Sequence, residues 1–313
     1  MKNIFIGLLL LVNQILLAQT RADTLLPEND GYYLITCGQD QLYILDAQTS
    51  NGQELNIVWR WKLADAASQL PTAYMNYMKT LDDCKSVDDN TKLLMTSSTG
   101  GGVLLLERST KKCLFYAHAP QAHSADLLPN GKIVVALSTT EQGNSIEVYD
   151  INKPEEVLFR DELHGAHGAV WMAARNRFYA LGSSVLREYS LKNWGSNTPE
   201  LILEKEWSVP LGNGHDLSAV NSNTFLVSSN SSASFAGKVY LFEIDTGKFT
   251  LFEPEILSGD IKSVNYIQET GWLVYTQAEE NYWTENIYMI NPTKKLTIPG
   301  YRMYKVRLMK KTE

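Results

Sequence analysis

Three of the five histidines stand at one register of a repeating unit: His123-Ser-Ala-Asp-Leu, His167-Gly-Ala-Val-Trp and His215-Asp-Leu-Ser-Ala. Lysine fills what reads as the same slot in Lys85-Ser-Val-Asp-Asp and Lys262-Ser-Val-Asn-Tyr. Each copy precedes a short apolar strand that ends in small or polar residues, such as Leu137-Ser138, Ser228-Ser229 and Tyr275-Thr276. One register per repeat means one geometric position per module, so modules closed into a ring carry these side chains to a common axis. Three neutral imidazoles there can serve as bases or nucleophiles, or can hold a divalent transition metal with an open position. Lysines beside them repel a dication and suit an anion instead: a carboxylate, a sulfate ester or a phosphate. The residues thus favour no cofactor, with a metal on His123, His167 and His215 as the alternative. Confinement should also depress the histidine pKa values.

The elements that must position these groups are strands. Tyr32–Thr36, Gln41–Leu45, Lys132–Leu137, Ser145–Tyr149, Thr224–Ser228, Lys238–Phe242, Trp272–Thr276 and Asn286–Ile290 are short and rich in β-branched and aromatic residues. Gly, Asn, Asp and Pro punctuate them. Only residues 64–81 read as a short surface helix. The copies recur at roughly 40 to 50 residues, the period of propeller blades. A first blade before Lys85 uses Tyr32–Thr36, Gln41–Leu45 and Ile57–Leu63. Its opening, Ala22 to Gly31, echoes Ser124 to Gly131, and aligning the Leu-Leu-Pro triplets sets Arg21 opposite His123. The expected fold is all-β, a six-bladed β-propeller of four-stranded antiparallel blades. Residues 301–308 form either an outer strand of blade six or a strand that closes the ring. Asp46, Asp150, Asp245 and Asn291 each cap a turn after a third strand and receive no chemistry.

In such a ring, His123, His167, His215, Lys85, Lys262 and Arg21 surround the mouth of the channel. The loops 97–102, 138–144, 228–237 and 276–286 rim it. The last carries Tyr282-Trp283, an aromatic pair suited to stacking on sugar rings. A structural role competes with this reading. Propellers of the WD type place a Gly-His pair here, like Gly214-His215, and that histidine bonds only within its own blade. Those blades also need a third-strand tryptophan and a preceding aspartate, both missing here.

The stretch from His123 to Gly131, His-x-x-Asp followed by Leu-Leu-Pro-Asn-Gly, resembles the blade-opening motif of bacterial periplasmic arylsulfate sulfotransferases. That resemblance implies a six-bladed propeller whose axial histidines and an arginine bind a sulfuryl group, one histidine acting as nucleophile. His123, His167 and His215 would be the candidates. Lys132 stands where that family usually has a second asparagine. As a whole the chain resembles exported bacterial propellers without an assigned role.

Residues 1–18 read as a cleaved signal peptide: Lys2, an apolar stretch from Ile4 to Leu17 and a small-residue cut at Ala18. The apolar run is broken by Asn13-Gln14 and is shorter than the roughly 20 residues of a membrane span. A single domain, 19–313, is then periplasmic or secreted, and a monomer. A net charge of −7 argues against a nucleic-acid partner. Cys37, Cys84 and Cys113 allow at most one disulfide. The expected function is binding of an anionic small molecule or glycan fragment by the axial His and Lys. Two alternatives stay open: an enzyme on the same site, by sulfuryl transfer or uronate elimination, and a protein-interaction scaffold.

Overall fold

The computed structural model of the chain describes residues 31–232, 236–254, 257 and 259–311. Six four-stranded antiparallel sheets form a six-bladed β-propeller. Blades two to six run from inner to outer strand in chain order. Their inner strands are Asp83–Val87, Ala122–Leu128, Gly168–Met172, Gly214–Asn221 and Ile261–Ile267. Blade one is composite. Its inner strand is the C-terminal Met303–Lys310, which pairs with Tyr32–Gly38, followed outward by Gln41–Leu45 and Ile57–Lys62. Residues 303–310 therefore close the ring rather than extend blade six. The slot opposite His123 in blade one belongs to this strand, while Arg21, the stretch 22–30 and the signal segment 1–18 lie outside the described residues.

The core is six apolar layers, each between two neighbouring blades. In the second strand of blade three every residue from Lys132 to Leu137 is buried. Ile133, Val135 and Leu137 pack on blade two, and Val134 and Ala136 on blade four. A strand covered on both faces needs a continuous apolar run rather than alternation, which is why these segments read so plainly in the sequence. Trp61 is fully buried between blades one and two, and Trp59 donates its indole N–H to Arg108 O across the same seam at 3.2 Å.

The 64–81 segment holds a short 3-10 turn (Leu63–Ala66) and one helical turn (Tyr74–Tyr77). It is not a surface feature: Tyr74, Met78 and Leu81 are buried in the layer between blades one and two. The 97–102 hairpin carries glycine because this segment presses on it. A Cβ on Gly100 would lie 2.1 Å from Tyr77 O, and one on Gly102 would lie 2.3 Å from Met78 Sδ.

One backbone device repeats at the axial end of all six inner strands. His123 is an extra residue between the pairs Ala122–Leu137 and Ser124–Ala136, and His215 and Lys262 sit in equivalent bulges. His167 and Gly168 both oppose Leu181, and Asp82 and Asp83 both oppose Thr96. In the closing strand the irregularity falls at Tyr304-Lys305. A bulge turns two consecutive residues to the same side. Each blade thereby turns two neighbouring positions to the axis, the second being Gly168 without a side chain in blade four, and a third follows two residues on.

Candidate functional site

The bulge register defines three tiers along the axis. The upper tier is Tyr304, Asp82, His123, His167, His215 and Lys262 in blade order, and all of these line a cavity of about 550 Å³ at one mouth. Lys85 is not among them. It pairs with Leu94 in mid-strand, three residues beyond the slot that Asp82 fills. Its ammonium donates to Ala169 O at 2.5 Å and faces a second cavity, of about 420 Å³, at the opposite mouth. The shared Lys-Ser-Val tripeptide of residues 85–87 and 262–264 aligns different registers.

Between the two cavities the channel is plugged by charge. Arg307 makes paired bonds to Asp83 (2.8 and 2.9 Å) and to Asp216 (3.0 and 2.7 Å). Lys305 Nζ lies 3.0 Å from Asp216 Oδ1 and 3.8 Å from Asp83 Oδ2. Two cations balance two anions, and further bonds satisfy the carboxylates: Ser124 Oγ donates to Asp83 at 2.9 Å and the Val264 amide to Asp216 at 3.0 Å. Burial alone would raise the Asp83 and Asp216 pKa values, but Arg307 and Lys305 overcome it and hold both low.

The three histidines meet as the sequence predicts. The His123 and His167 rings are 4.3 Å apart, and those of His167 and His215 are 4.9 Å apart. The bond of His215 is not that of a WD blade. His215 Nε2 is 2.7 Å from the hydroxyl of Tyr304, which reaches it from blade one past blade six. His123 Nδ1 and His167 Nδ1 lie 2.9 and 2.8 Å from the carbonyls of Gln121 and Gly165. Burial pushes all three pKa values down, that of His167 to about 4, and neighbouring positive groups add to the shift. The floor of the cavity is thus neutral imidazole. Among the described residues no group of three or more His, Cys, Asp or Glu is arranged to hold a metal ion.

Lys262 is the ammonium of this cavity. The residue is only 2% exposed, and Nζ lies 5.6 Å from the ring centres of both Tyr282 and Tyr304. Among the described residues it makes no hydrogen bond or ion pair. Burial lowers its pKa to about 8, against the pull of Asp260. Tyr282 is 66% exposed at the rim, and the half-buried Trp283 leans on Tyr304 at 5.5 Å. Asp82 accepts the Ser98 amide, and burial raises its pKa to about 7. Asp260, Ser98, Thr99, Asn213, Asn230 and Ser231 complete a wall of hydroxyl, amide and carboxylate groups.

Sequence reasoning missed Asp82, Tyr304 and Asp260. Strand pairing gives the signal for Asp82, since it opposes Thr96 at the strand end as His167 opposes Leu181. Tyr304 is invisible until the C-terminal strand is known to enter blade one. His118 and His164 are exposed and outside the cavity; His118 stacks on Tyr77 at 4.2 Å. All three cysteines are free thiols.

Comparison with known proteins fixes the family. A family of unknown function, DUF6528, matches residues 12–312. The chain belongs to DUF6528. No curated protein matches this DUF6528 chain. Among solved structures it is similar to a functionally unknown protein from Desulfotomaculum acetoxidans DSM 771, with TM-score 0.55, 11% identity and coverage of 82% of this chain and 74% of that one. It is also similar to a chain of a nidogen/laminin complex, with TM-score 0.58, 15% identity and coverage of 89% and 98%. At these identities the likeness is one of fold alone. Among the described residues no helix is long and apolar enough to cross a membrane.

Proposed function

We propose that this DUF6528 propeller is an exported protein that binds a carboxylate-bearing sugar, such as a uronate unit of a glycan, in the His-lined cavity. The observation that carries the reading is Lys262. Its stem is buried while its ammonium, with no protein acceptor among the described residues, faces the cavity, where a ligand anion would complete it. The surroundings narrow the anion. Tyr282 and Trp283 offer ring faces at the rim, and the wall offers the mixed donors and acceptors that hydroxyl groups need. One ammonium among neutral histidines matches a single carboxylate better than a phosphate dianion.

The sulfuryl-transfer reading has less support. It requires an arginine beside the histidines, and among the described residues no arginine lines this cavity. Arg307 is committed to Asp83 and Asp216.

A thermal-shift panel tests the proposal. Galacturonate or glucuronate should raise the melting temperature by mass action, and glucose should not. Lys262→Gln should abolish the response. Equal stabilisation by glucose, or no response to any sugar acid, overturns the reading.

A further inference from the structure

Binding a sugar acid needs Lys262 and the aromatic rim; it does not need what lies on the floor. There the proton positions of two histidines are set by the backbone. A carbonyl oxygen only accepts, so the bonds to Gln121 O and Gly165 O place the proton of each ring on Nδ1. Nε2 of His123 and His167 is left as a bare lone pair. His167 Nε2 has Ser138 Oγ at 3.5 Å, whereas His123 Nε2 has no partner among the described residues. Opposite stands an acid. Burial and the surrounding carboxylates push the Tyr304 phenol far above its usual range, so it keeps its proton, and its oxygen is 2.7 Å from His215 Nε2. The Tyr304 ring is 6.3 Å from that of His123 and 5.6 Å from Lys262 Nζ. A bare base, a protonated phenol and an ammonium thus surround one volume.

We propose that this floor catalyses β-elimination at the uronate held by Lys262, cleaving the glycan without water. The inference rests on the binding reading above. Lys262 pairs with the carboxylate and so acidifies the C–H on the adjacent carbon. His123 Nε2 takes that proton. The C–H electron pair becomes a C=C bond as the next carbon releases its bond to the glycan oxygen. Tyr304 O–H protonates the departing oxygen. Proton return from His123 to Tyr304 resets the site, so one chain becomes two, one with an unsaturated uronate end, and no oxidant or water is consumed. His215 is a positioning residue that holds the Tyr304 hydroxyl.

The test uses the full protein with oligogalacturonate, oligoglucuronate and oligomannuronate. Ultraviolet absorbance of the conjugated product and mass spectrometry read turnover, and calorimetry reads binding. At least one oligomer should yield an unsaturated end. His123→Gln and Tyr304→Phe should each lower that rate about 10²–10⁴-fold while affinity stays within about threefold. His215→Asn should lower kcat with KM unchanged and shift the pH profile of kcat. Melting temperatures identify any variant that fails to fold, and either of the first two alone suffices. If the wild type binds an oligomer but releases no unsaturated product, elimination is overturned and binding stands. If no oligomer binds, the binding reading falls and this inference with it.

Discussion

At the scale of single residues, the proposed anion site implies that Lys262 trades stability for binding. Burial of this charge outweighs the pull of Asp260, so an apolar chain of similar length removes a net desolvation cost, and Lys262→Met should raise stability by about 1 kcal/mol. The same variant should lose at least tenfold in affinity for a sugar acid. Chemical denaturation and calorimetry check the two effects, and a loss of both would make Lys262 structural. The histidines give a second prediction. Their folded forms are neutral, and His167 titrates at about 4 against 6.5 when unperturbed. Between those values the unfolded chain binds more protons. Its contribution is whole above pH 6.5 and drains as pH falls towards 4. Asp82 has the opposite sign: raised to about 7 from 3.8, its contribution is whole below 3.8 and drains as pH rises through 7. Unfolding midpoints across this range should therefore show a flatter acid limb in His167→Gln, and a gain above pH 7 in Asp82→Asn.

At the scale of elements, the closing strand Met303–Lys310 does most to build the site. It supplies Tyr304 to the floor and both cations to the plug. Arg307→Ala would leave Asp83 and Asp216 buried with only Lys305 between them. Losing one partner of such a network costs about 3–5 kcal/mol, and a urea titration should show it. The bulges explain which site residues were legible. His123, His167, His215 and Lys262 stand at a repeated register, and repetition survives in a one-dimensional pattern. Lys85 misled because its neighbours Ser86-Val87 copy Ser263-Val264, whereas its strand partner is Leu94 rather than the strand-end Thr96. Side-chain likeness is a weaker guide than hydrogen-bond register, since one step along a strand exchanges the faces.

At the scale of the molecule, ring closure ties the two ends together. Deleting residues 303–311 removes the inner strand of blade one, exposes the edge of Tyr32–Gly38 and strips the plug of its cations. Such a chain should lose its cooperative melting transition, as followed by circular dichroism. A residual sharp transition near the wild-type temperature would show that the ring holds without its closing strand. The plug also separates the two mouths, so a ligand in the upper cavity should leave hydrogen exchange at Lys85 and Asp126 unchanged.

The amino-acid order by itself determined the strands, the six modules and the meeting of the three histidines with Lys262. These follow from local pattern and period, which each repeat states again. Only the tertiary structure decided that the last strand becomes the first blade's innermost, that Tyr304 and Asp82 join the floor, and that Lys85 faces away. The reason is physical: those outcomes depend on pairing between segments at opposite ends of the chain and on single-residue bulges. Pairing across that distance leaves no periodic trace, and a bulge leaves one only where the residue type recurs, as it does not at Asp82 and Tyr304.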